Sequence, residues 1–91
     1  MLSGLRAYRN HPLARTRAVT VDMEFDTETT SFVTYVQELH RMSTFGDTEA
    51  EALDNTAEMI RGYIKSMEAS RKKIPLASAK LAALKRVVGI R

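Results

Sequence analysis

Residues 18–25 alternate between apolar and polar positions, with Val19, Val21, Met23 and Phe25 on one side and Thr20, Asp22 and Glu24 on the other. A period of two predicts a half-buried strand. Residues 26–30 form a polar turn without glycine, and residues 32–36 resume as a strand rich in β-branched and aromatic side chains. So short a link predicts an antiparallel hairpin. Residues 38–42 show no period; residues 43–45 read as a third short strand stopped at Gly46.

The period then changes. Thr48 with Glu51 three positions on is a capping box, and Asp47, Glu49, Glu51 and Asp54 place negative charge at the positive end of a helix dipole. Over residues 49–71, Leu53, Ala57, Ile60, Ile64 and Met67 recur at helical spacing, with Ala50, Met59 and Tyr63 widening the stripe. Gly62 inside that helix suggests close approach by a strand, and Arg71, Lys72 and Lys73 supply positive charge at its end. Ile74-Pro75-Leu76 reads as an extended exit, suited to a fourth, edge strand. Ser78 is placed to cap a last helix over residues 79–88, with Leu81, Leu84 and Val88 on one face. At the other end, Asn10, His11 and Pro12 break any helix begun over residues 2–8.

The pattern predicts an α+β fold, a two-layer β-β-β-α-(β) unit with an antiparallel sheet covered on one face by one long helix. Residues 1–16 form a basic N-terminal arm (a short helix or a disordered segment), residues 17–77 the body, and residues 78–91 a short basic helix or tail. At 91 residues the chain is one small domain. A chain this size hides only roughly 60% of its unfolded surface, so association with a partner adds useful stability.

Charge is partitioned along the chain. Residues 1–17 carry +4 and no acid, residues 18–70 hold all eleven acids for a net −8, and residues 71–91 carry +7 and no acid. An acidic body attracts a basic protein and repels nucleic acid. The basic ends are either solvated or contact phosphate, and Arg6, Arg9, Arg15, Arg17, Lys80, Lys85 and Arg86 are the candidates for the second role.

Catalytic chemistry is hard to assemble. There is no cysteine, hence no thiol nucleophile and no disulfide, which fits a reducing cytoplasm. His11 and His40 are not in metal-ligand spacing, and no glycine-rich phosphate loop exists. His40 near Glu38 reads as a surface loop residue. Asp22 and Glu24, with Asp26 close by, would be the carboxylates of a nuclease, yet they fall on the polar side of the first strand. No run approaches roughly 18 apolar residues, so no membrane span is expected. The N-terminal segment lacks the apolar run of a secretory signal; its Arg-rich, acid-free start leaves an organellar transit sequence open. No cofactor is expected.

The residues Gly46-Asp47-Thr48, Glu51-Ala52-Leu53, Asn55, Ala57-Glu58 and Ile60, followed by Ile74-Pro75, stand in an order that resembles the HicB-like antitoxin family over about residues 18–77. The resemblance implies a partial RNase-H-like fold without the nuclease's carboxylates. It also implies a non-enzymatic protein that assembles as a dimer or tetramer and neutralises a small basic mRNA-cleaving toxin. Two departures stand out: residues 37–42 replace the family's Pro- and Gly-containing loop, and the sixteen residues after Pro75 are fewer than its usual DNA-binding module. The expectation is therefore a cytoplasmic, self-associating interaction protein of antitoxin type, with a nucleic-acid-binding regulator acting through the basic ends as the alternative.

Overall fold

A computed structural model describes residues 11–90. In chain order the elements are α1 (Pro12–Arg15), β1 (Val21–Asp26), β2 (Ser31–Val36), a 3-10 turn (Gln37–Leu39), β3 (Met42–Gly46), α2 (Glu49–Ala69) and α3 (Ser78–Val88). The strands form one antiparallel sheet in the order β1-β2-β3. The register pairs Val21 with Val36, Met23 with Thr34 and Phe25 with Phe32, then Thr34 with Thr44 and Phe32 with Gly46. Residues paired in this way share a sheet face. One face therefore carries Val21, Met23, Phe25, Thr34, Val36 and Gly46, and it is the face toward α2.

The long helix lies mainly over β3 and β2, with its later turns against α3. Leu53, Ile60 and Ile64 are fully buried, while Ala57 and Met67 flank them. Because the helix is displaced from β1, Phe25 stays half exposed and rests edge-on against Phe32, with ring centroids 5.1 Å apart. Thr48 caps the helix by accepting from the Glu51 N–H at 3.0 Å. The returning Glu51 carboxylate accepts from the Asp47 N–H, one residue before the cap residue that a standard box would use.

Several expectations need correction. β1 begins at Val21; Val19 is buried ahead of it, in irregular chain. No fourth strand forms at Ile74-Pro75-Leu76: Ile74 is buried by plugging its side chain into the core, without joining the sheet. Among the described residues nothing lies within 4 Å of a Cβ added at Gly62, so no strand approaches it. The crowded glycine is Gly46, where a Cβ would lie 2.4 Å from the Ala52 nitrogen. Ala50 is exposed, so the stripe widens instead through buried Ala52 and Thr56. Helix α2 ends at Ala69, and Arg71 takes the left-handed conformation with φ 56°. The Lys72 N–H closes the end by donating to the Met67 carbonyl at 2.8 Å, a Schellman bond with arginine in glycine's usual place. The cap of α3 is Ala77, without a side-chain bond, and Ser78 is already its first helical residue.

His11 and Pro12 start a helix; any helix over residues 2–8 that they are expected to break lies outside the described residues. Proline occupies the first turn, and His11 Nδ1 accepts from the Leu13 N–H at 3.0 Å. Because Nδ1 accepts, the ring proton sits on Nε2, which donates to Asp54 Oδ1 at 2.9 Å. Leu13, fully buried, enters the same core as Ile60, Leu84 and Val88. Both ends of the described chain thus pack against α2. Arg61 fastens α3 further by donating from Nε to the Val88 carbonyl at 2.7 Å.

Candidate functional site

The residues of the ordered motif meet at the β3–α2 junction. Gly46 lets β3 run against the first turns of α2, Thr48 and Glu51 close the cap, and Ala52 and Leu53 are buried beneath it. Asn55 adds a bond from Nδ2 to the Phe45 carbonyl at 2.8 Å. Ile74 is buried and Pro75 exposed at the far end of the helix. All of these bonds are internal.

The sheet face away from α2 is open. On it lie Asp22, Glu24 and Asp26 of β1, Ser31, Val33 and Tyr35 of β2, and Ser43 and Phe45 of β3. Phe45 is 63% exposed, an outcome its neighbour Gly46 foretells: if Gly46 faces the helix, Phe45 must face outward. A hollow of about 230 Å3 lies at the hairpin end of this face, lined by Asp26, Thr29, Ser31, Val33, Ser43, Thr44 and Phe45. The three carboxylates do not converge on one point. Asp22 accepts from Gln37 Nε2, Glu24 accepts from the Tyr35 hydroxyl at 3.0 Å, and Asp26 accepts from the Glu28 N–H at 2.9 Å in the turn. Among the described residues no group of three His, Cys, Asp or Glu is arranged to hold a metal ion.

At the opposite end of the sheet, residues 37–42 make the 3-10 turn and then two consecutive left-handed residues, His40 (φ 59°) and Arg41 (φ 54°). Leu39 anchors the loop from below, fully buried. Arg41 stacks its guanidinium over the Tyr35 ring, 4.9 Å from the centroid. Glu38 is taken by Thr20, accepting from its N–H at 2.7 Å and its hydroxyl at 3.1 Å, so His40 has no carboxylate partner there. The Tyr35 hydroxyl is held above its ordinary titration range, first by its hydrogen bond to Glu24 and then by that carboxylate's charge.

The basic candidates divide. Arg6 and Arg9 lie outside the described residues. Lys85 is paired with Glu68 at 2.6 Å. Arg15 and Arg86, 71 positions apart in sequence, line one groove of about 450 Å3 between α1 and α3, with Pro12, Thr16, Ala83 and Val87. Arg17 and Lys80 are exposed. No helix among the described residues is long and apolar enough to cross a membrane. Compared with models of known protein families, with curated proteins and with solved structures, the chain matches none.

Proposed function

We propose that this chain is a HicB-like antitoxin-type interaction protein that docks a small basic protein, an mRNA-cleaving toxin on this reading, on the open face of its sheet. The observation that carries the proposal is the row of Asp22, Glu24 and Asp26 on β1 sharing one open sheet face with the 63%-exposed ring of Phe45 on β3. A carboxylate row steers a cationic partner and fixes its orientation, while Phe45 and Val33 supply apolar area to bury. The hollow at the hairpin end suits a lysine or arginine side chain, with the Asp26 carboxylate and the Phe45 ring both within its lining.

The ordered motif and the three-stranded meander under one long helix support the finer fold, a partial RNase-H-like layer. Self-association into a dimer or tetramer belongs to the same proposal and uses an edge strand of the sheet. The open face would set like charges against each other in a symmetric pair. The role is binding, not catalysis, and its setting is the cytoplasm.

The test is a search for a short basic reading frame next to this one, which is expected to be present, followed by calorimetric titration of the purified chain with its product. Binding is expected, weakened roughly tenfold or more by the Asp22→Lys/Asp26→Lys variant. No binding, or binding indifferent to the charge reversal, overturns the reading.

A further inference from the structure

We infer that the groove between α1 and α3 is a binding site for the phosphodiester backbone of nucleic acid. The inference stands apart from the sheet face and does not depend on the partner proposed for it.

The two arginines in its lining come from opposite ends of the chain and meet only in the folded molecule. Neither guanidinium makes an ion pair or hydrogen bond among the described residues. Glu68 pairs instead with Lys85, and Asp54 accepts from His11. Among the described residues no carboxylate lines the groove. Two guanidinium groups are thereby left facing solvent with donors in the planar fork that fits phosphate oxygens.

The ligand is a polyanion because the charge continues beyond the groove. Lys80, Ala83 and Val87 follow helical spacing, so Lys80 extends the Ala83–Val87 wall by one turn. It lies about 9 Å along the axis from Arg86. Arg17 follows Arg15 out of α1. Among the described residues the lining contains no aromatic ring on which a base would stack, so contact is to the backbone and independent of sequence.

The experiment measures binding of the full chain to a fluorescent 20-base-pair DNA duplex by anisotropy, from about 20 to 200 mM salt. The wild type is expected to bind at low salt, equally well with a scrambled sequence. Arg15→Gln/Arg86→Gln is expected to reduce the slope of log affinity against log salt by about 1.8, two phosphate contacts' worth. Lys72→Gln/Lys73→Gln, outside the groove, serves as the comparison, and circular dichroism confirms that each variant folds. Absence of binding at 20 mM salt overturns the inference. So does a slope unchanged in the groove variant, or lowered as far by the Lys72/Lys73 variant.

Discussion

The hydroxyl of Thr34, at the centre of β2, donates to the hydroxyl of Thr56 in α2 across 2.6 Å, and both residues are fully buried. The direction follows from the next bond: Thr56 spends its one proton on the Ala52 carbonyl, also at 2.6 Å. Each proton in this relay has a good acceptor, so this buried polar contact between sheet and helix is satisfied.

That direction makes the two threonines unequal. Thr56→Val leaves the Thr34 proton with only the Thr44 carbonyl at 3.5 Å, and is expected to cost about 1–3 kcal/mol. Thr34→Val leaves Thr56 bonded to Ala52, and is expected to cost about 1 kcal/mol or less. The double variant should cost less than the two added together, with a coupling of at least about 0.5 kcal/mol in urea unfolding. Equal costs would contradict the assigned direction.

Two glycines should respond in opposite senses to alanine. Gly46→Ala sets a Cβ 2.4 Å from the Ala52 nitrogen and 2.8 Å from its Cα, and backbone cannot step aside. A loss of about 2 kcal/mol or more is expected, as sheet and helix are forced apart. Gly62 has nothing within 4 Å of its added Cβ and sits inside α2, so Gly62→Ala should stabilise by about 0.5–1 kcal/mol. Thermal unfolding of the two variants compares them directly.

Leu13 tests whether the end of the basic N-terminal segment belongs to the core. Fully buried against residues of α2 and α3, it should cost about 2–5 kcal/mol when replaced by alanine. Arg15→Gln, two residues on and exposed, should stay within about 0.5 kcal/mol of wild type in chemical denaturation. A silent Leu13→Ala would show that α1 is not docked.

Tyr35 gives a pH signature. Its hydroxyl is raised above the ordinary phenol value of about 10 by the hydrogen bond to Glu24 and that carboxylate's charge. A group raised on folding contributes stability below its unfolded pKa and loses it as pH climbs through the folded one. The contribution is therefore present at neutral pH and fades in the alkaline range above about 10. Tyrosinate absorbance, differenced against Tyr35→Phe, should place Tyr35 above a free phenol, and Glu24→Gln should bring it down. An unmoved titration in Glu24→Gln would remove the bond.

The elements were legible because their periods are clean. Val21 and Met23 alternate with Asp22 and Glu24, and Leu53, Ile60 and Ile64 recur at helical spacing, so local pattern was enough to find β1 and α2. The failures have physical causes. Thr34 and Thr56 are polar, and nothing local says that two hydroxyls will satisfy each other in a core. Ile74 is apolar whether it pairs in a sheet or plugs a gap, so the missing strand could not be told from sequence. His11-Pro12 reads equally as a stop and as a start, because a proline that cannot continue one helix is well suited to open another.

The candidate surfaces divide the same way. The acidic side of β1 follows from alternation alone, and the outward turn of Phe45 follows once Gly46 is given to the helix. The partition of charge into acidic body and basic ends is likewise a property of the chain. That Arg15 and Arg86 share a groove while Lys85 is tied to Glu68 was decided only in three dimensions. Periodicity fixes which side of an element is apolar, but the meeting of residues 71 positions apart depends on how α1 and α3 pack on α2, and long-range packing leaves no local trace.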